Sequence, residues 1–208
     1  MSETIPKLVP NLVPNLVLAS ASASRRAMLE AAGVAHDVCP ADIDERAIEL
    51  AMANAAPADI VAALARAKAE SAATRRPDRV VLGSDSLVEV AGRRFAKPGS
   101  RDDAAEHLRF FSGRKMTLHS GAALVRDDRL LWQFADRAVL RVRRLSADFI
   151  DRYLDVEWPQ VAGCVGVFRI EAMGVQLFEH IEGSQFTVLG MPLLPVLAAL
   201  REFGVLPE

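Results

Sequence analysis

Cysteine is nearly absent: Cys39 and Cys164 are the only two in 208 residues. Neither belongs to a CxxC pair or a Cys/His cluster, which argues against a zinc site. Two scattered thiols in an alanine-rich chain fit packing roles in a reduced, cytoplasmic setting. Histidine is also scarce. His36, His107, His119 and His180 form no spaced pair, so structural or surface roles are expected for them. No apolar run approaches the ~20 residues that a bilayer-spanning helix needs. The opening "MSETIPKLVPNLVPNLV" has no charged segment followed by a long apolar one, and prolines interrupt it, so it does not read as a signal peptide. No block of like charge stands out. With a formal net charge of −2 and a pI of about 6.1, an extended nucleic-acid surface is not expected, although a small basic pocket is left open. The Walker pattern GxxxxGK is missing as well.

What remains is an ordinary globular composition, 51% hydrophobic and 25% charged, in a chain long enough for one large domain. The repeat "LVPNLVPNLV" spans 8–17 and its prolines oppose helix, and residues 1–14 read as an irregular leader to a single domain over 15–208. Leu16 to Ala19 reads as a buried strand, Ser24 to Ala32 as a helix stopped by Gly33, and Val34 to Cys39 as a short strand. "DIDE" at 42–45 is an acidic loop. A short helix over 48–54 precedes a longer one over 58–74, whose Ile60, Leu64 and Ala67 share a face. "RVVLG" at 79–83 is an apolar strand expected to end at Ser84-Asp85, followed by a hairpin around Ala91-Gly92. A helix over 100–111 has Ser100 as N-cap, with Asp103 at the capping-box position. Two alternating strands, 116–125 and 130–142, turn at Asp127-Asp128. A helix over 146–153, a glycine-rich stretch, a strand over 175–181 and a helix over 192–203 complete the pattern. Early alternation of strand and helix with an antiparallel middle predicts an α/β fold: a twisted mixed sheet flanked by helices, with a cleft across its strand ends.

Three stretches could carry chemistry. "ASASASRR" places Ser20, Ser22 and Ser24 with Arg25 and Arg26 where a strand turns into a helix. Free backbone N–H groups, the helix dipole and two guanidinium forks there suit a phosphate. A serine cap with two surface arginines fits the same letters. "VVLGSDSLVEV" sets Asp85 at the expected end of a buried strand, a place for a metal ligand or a base, or simply for a turn aspartate. Lys97, held extended before Pro98, could reach a phosphate, and Lys68 lies in a helix of small residues, facing either solvent or a cleft. In "CVGVFRIEAMGVQLFEHIEG", Glu171 beside a glycine-rich turn could accept the N–H groups of a guanine edge, or be an exposed turn residue. Glu179 and Glu182 read as surface carboxylates.

The ordered set "LASASASRR", "DIDE", "ARAKAE", "GSDSLVEVAGRRFAKP", "FSGR" and "GVQLFEHIEGSQFTVLGMPL" resembles the Maf proteins, nucleoside triphosphate pyrophosphatases, over about 16–203. The resemblance implies an elongated α/β fold with a central cleft, dependence on Mg²⁺ or Mn²⁺, and hydrolysis of nucleoside triphosphates, modified ones included, to monophosphate and pyrophosphate. It implies Asp85 as catalytic base and metal ligand, Glu45 as a second ligand, and Ser20, Arg25, Arg26, Lys68 and Lys97 around the phosphates. Ser24, Ser86 and Glu171 would read the base. Residues intervening before the paired arginines, "GSDS" and Glu171 are similar to the subgroup acting on 7-methyl-GTP. Ser86 stands where that subgroup usually has glutamine, Ala23 replaces a proline, and Ser24 occupies a place often held by an aromatic residue. A non-catalytic nucleotide-binding regulator of cell division is the alternative, and a homodimer is left open.

Overall fold

The computed structural model describes residues 15–208. The leader expected over 1–14 therefore lies outside the described residues. Strand β1 (Leu16–Leu18) feeds helix α1 (Ala23–Ala31) and a minimal strand β2 (Asp37–Val38), which is much shorter than the 34–39 reading. Helix α2 (Glu45–Ala51) begins three residues earlier than expected, because Asp44 caps it by accepting the N–H of Ala47 at 3.0 Å. Pro57 opens the long helix α3 (Pro57–Ala73).

Strand β3 (Val80–Val90) corrects the sequence reading. It does not stop at Ser84-Asp85 but runs straight through both to the hairpin with β4 (Arg93–Phe95). Helix α4 (Arg101–Phe111) has Ser100 as its cap, as the spacing predicted. Strands β5 (Lys115–Arg126) and β6 (Arg129–Val142) then form the expected hairpin. Helix α5 (Ala147–Glu157) is a turn longer than predicted. The strand expected over 175–181 is partly a 3₁₀ turn (Met173–Leu177), and β7 is Phe178–Glu182. A one-turn helix α6 (Gln185–Val188), not foreseen, precedes α7 (Leu193–Glu202).

The strands form one mixed sheet in the order β2-β1-β3-β5-β6-β7, with β4 on the far end of β3. Only β1 pairs in parallel, with β2 and β3; the remaining pairs are antiparallel. One face is covered by α3, which lies against the backbone itself. A Cβ on Gly83 would sit 1.9 Å from the Ala65 carbonyl oxygen, and one on Gly121 would sit 2.3 Å from that of Val61. Glycine in two paired strands is what lets this helix approach so closely.

The opposite face carries two apolar clusters. One gathers Leu16, Leu18, Val80, Leu82 and Leu124 under α1 and α7. The other gathers Val88, Val90, Met116, Leu118 and Leu140 under α4 and α5. Between them, on that same face, a polar row crosses the strands. Ser86 of β3 pairs with Ser120 of β5, which pairs with Asp136 of β6. Thr187 of α6 closes this seam, donating to Asp136 Oδ2 at 2.6 Å while its carbonyl accepts from Ser120 Oγ at 2.9 Å.

Candidate active site

Two strands share one edge of β3 and leave a gap between them. β1 pairs with Val80–Leu82 and β4 with Val88–Val90, so residues 83–87 have no strand partner on that edge. The chain leaving β1 turns away into α1 at this level. The break in pairing on this side of β3 lies at the carboxyl end of β1. β3 does not end at this break, and Asp85 lies within the strand, opposite Gly121 of β5.

Alternation along β3 sends Asp85 and Ser86 to opposite faces of the sheet. On the α3 side, Lys68 Nζ donates to Asp85 Oδ1 at 2.5 Å and reaches Glu45 Oε1 at 2.9 Å. Lys68 and Asp85 are 8% and 7% exposed, whereas Glu45 is half-exposed. The reach is set locally: Lys68 emerges from the alanine-rich α3 held against Gly83, and Glu45 is the first residue of α2 behind the Asp44 cap. Glu49, one turn further along α2, was not singled out in the sequence. Although Glu49 is exposed, partial desolvation, followed by the charges of Asp85 and Glu45, holds its carboxyl above the usual range. The spacing from Glu45 to Glu49 was the available signal.

On the other side, Arg25 is buried with three partners. Nε donates to the Gly190 carbonyl at 2.8 Å, one terminal nitrogen to Ser20 Oγ at 3.1 Å and the other to Ser86 Oγ at 2.9 Å. Burial lowers its pKa from the ordinary arginine value, while Asp85 and Glu45 oppose that shift. The same carbonyl of Gly190 lies 3.2 Å from Ser84 Oγ and 3.0 Å from Ser86 Oγ. Ser86, expected to face a base, therefore spends its hydroxyl on Arg25 and the seam. Sequence reasoning did not find Ser84, Ser120, Thr187 or Gly190, since nothing in their spacing shows that one carbonyl gathers them.

Arg26 is placed differently from Arg25. It is exposed on α1 and faces Glu30 one turn on, at 3.6 Å. Ser24 is half-buried, with its hydroxyl 3.0 Å from that of Ser22. The N-cap of α1, Ser22, makes no side-chain cap, and the first turn holds no acidic residue. Lys97 and Glu171 are exposed and share a neighbourhood. Burial pushes the Cys164 thiol up, Glu171 raises it further, and Arg169 and Lys97 oppose.

This order of elements and site residues agrees with a family match. The family described as "Maf-like protein" matches residues 15–203. The chain belongs to the Maf family. Among its relatives is the 7-methyl-GTP pyrophosphatase of Rhizobium meliloti (strain 1021), 46% identical over 91% of this chain and 96% of that one. The nucleoside triphosphate pyrophosphatase of Nitrobacter hamburgensis (strain DSM 10229 / NCIMB 13809 / X14) is 44% identical over 91% and 94%. Nucleoside triphosphate pyrophosphatase 1 of Jannaschia sp. (strain CCS1) is 44% identical over 90% and 96%. In this Maf protein no helix among the described residues is long and apolar enough to cross a membrane.

The Maf site offers a hard cation two carboxylates, Glu45 and Asp85, bridged by Lys68. Among the described residues no group of three or more His, Cys, Asp or Glu could hold a metal. An all-oxygen pair fits Mg²⁺ or Mn²⁺ arriving with a triphosphate, which itself supplies further oxygens.

Proposed function

We propose that this chain hydrolyses nucleoside triphosphates to nucleoside monophosphate and pyrophosphate. The observation that carries the reading is the break in pairing beside β3, where Arg25 and Ser20 meet Lys68 and Asp85 from the two faces of β3. The names of the three relatives point to the same reaction. A triphosphate entering the break meets the buried guanidinium of Arg25, the Ser20 hydroxyl and the start of α1, all donors to anionic oxygen. Lys97 extends this cationic lining.

Asp85 takes a proton from the attacking water as its oxygen bonds to the α-phosphorus. The bond from the α-phosphorus to the bridging oxygen breaks, and pyrophosphate leaves. Lys68 holds the Asp85 carboxylate in place through its 2.5 Å contact and adds positive charge beside the phosphates. A divalent cation would be held by Glu45 and Asp85 together with the phosphates, and supplies charge neutralisation and water activation when bound. Glu171 accepts the N1–H and N2–H of a guanine-type base, with Ser24 nearer the sugar and base. Ser86 acts indirectly, by fixing Arg25.

The test is pyrophosphate release from GTP, 7-methyl-GTP, UTP and dTTP, with and without excess EDTA. Release that stops in EDTA and in Asp85→Asn supports the reading. Binding without release in the parent protein returns the chain to a nucleotide-binding regulator, and full activity in EDTA removes the cation.

A further inference from the structure

Glu157, the last residue of α5, is a carboxylate only 2% exposed. A charge that deeply buried is costly unless both oxygens are engaged. Here Oε2 accepts from Arg169 Nε at 2.8 Å and Oε1 accepts the backbone N–H of Met173 at 3.1 Å. The two contacts bracket Glu171. Between them the chain makes a tight turn, in which the Ala172 N–H donates to the Arg169 carbonyl at 3.1 Å. Gly174 packs back on that turn: a Cβ there would lie 2.4 Å from the Arg169 carbonyl oxygen.

The same helix grips the stretch a second time. Tyr153, one turn before Glu157 and fully buried, donates its hydroxyl to the Val167 carbonyl at 2.9 Å. Val167 has φ +56°, a left-handed conformation that a β-branched residue adopts only when its surroundings impose it. Two polar groups at i and i+4 on α5 thus fix the backbone on the approach to Glu171 and on both sides of it. Glu171 itself is exposed, with the Arg169 guanidinium among the charges it acts on.

We infer that Glu157 is a positioning residue for base selection: its carboxylate clamps the turn that carries Glu171, and so sets how sharply guanine-type nucleotides are preferred. This rests on the reading that Glu171 meets the base. Glutamine at 157 keeps the size of the side chain. It cannot accept from both Arg169 and Met173, because one of its two terminal atoms is a donor.

The experiment measures kcat and KM for GTP and UTP with the parent, Glu157→Gln, Glu171→Gln and the double variant, and follows hydrogen exchange at the Met173 amide. The expected result for Glu157→Gln is a fall of roughly tenfold in the GTP/UTP ratio of kcat/KM, mainly through KM for GTP. The double variant should match Glu171→Gln alone, because both changes act on one contact. Protection of the Met173 amide should fall in Glu157→Gln and persist in Glu171→Gln. Proportional loss for GTP and UTP in Glu157→Gln, with Glu171→Gln still shifting the ratio, overturns the clamp and leaves base reading by Glu171 intact. An unshifted ratio in Glu171→Gln overturns base reading, and the clamp's role in selection with it. Should Glu157→Gln fail to fold, Arg169→Lys replaces it, since that side chain is 36% exposed. An unchanged GTP/UTP ratio in that variant contradicts the inference.

Discussion

Lys68 and Asp85 are not equivalent partners, and their difference is measurable. Asp85→Asn leaves Lys68 paired with Glu45 at 2.9 Å. Lys68→Met strands a buried carboxylate beside two others. Breaking a buried pair by removing one partner costs about 3–5 kcal/mol. Thermal denaturation should therefore show Lys68→Met strongly destabilised and Asp85→Asn close to the parent, while turnover falls about 10²–10⁴-fold in Asp85→Asn. Equal stability losses would contradict the assigned pairing. The paired arginines separate in the same way. Arg26 sits in an exposed i,i+4 pair, worth at most about 0.5 kcal/mol, so Arg26→Ala should leave stability nearly unchanged. Arg25→Ala removes the buried centre of a network and should lower both stability and kcat/KM. The letters "RR" alone could not assign these roles, since one residue of helical rotation puts one guanidinium inside and the other in water. Lys68 was ambiguous for a similar reason: a lysine among alanines reads as solvated until the helix is seen pressed onto glycine.

Helix α3 and strand β3 hold the site together through their missing side chains. Gly83→Ala would place a methyl 1.9 Å from Ala65 O and 2.7 Å from Ala69 N, both backbone atoms that cannot step aside. Overpacking of this kind costs at least about 1–3 kcal/mol, and it would also move Lys68 off Asp85. Gly83→Ala should therefore lose stability and activity together, and a variant with parental melting temperature would contradict the packing. At α2 the sign of a pH effect follows from Glu49, whose carboxyl is held above its ordinary range by partial desolvation, Asp85 and Glu45. The folded chain binds that proton more tightly than the unfolded chain. The stability it contributes is present below the carboxylate range and lost as pH rises through the raised value. Glu49→Gln should then raise the melting temperature relative to the parent at pH 8 but not at pH 4. Most elements were legible from periodicity and caps, as α4 and the β5–β6 hairpin show. β3 was not, because serine and aspartate in mid-strand look like a strand end. Ser86 belongs to the polar seam on one face of the sheet and Asp85 pairs with Lys68 on the other, and neither cross-strand nor cross-helix partners are visible along one strand.

Among the described residues one continuous sheet carries two apolar clusters on the face opposite α3 and two smaller ones beneath α3. Trp132 packs against one of the larger pair and Trp158 against the other. Because β3, β5 and β6 run through both clusters, neither can melt while the other keeps its sheet. Trp132→Phe and Trp158→Phe should show unfolding midpoints by fluorescence that each coincide with that variant's own far-ultraviolet dichroism. Separated midpoints would mean two independent lobes. At this scale the sequence was most informative through the order of its motifs, which fixed the family before any contact was known. The geometry that joins those motifs, a gap between β1 and β4 reached from both faces, depends on pairings among residues far apart in the chain.

The central claim, water attack on the α-phosphorus within that gap, is tested most directly by single turnover of a nucleoside triphosphate in H₂¹⁸O, with mass analysis of both products. The account predicts one ¹⁸O in the nucleoside monophosphate and none in pyrophosphate, with both products formed about 10²–10⁴-fold more slowly by Asp85→Asn. Label in pyrophosphate, or nucleoside diphosphate with orthophosphate as products, would contradict it.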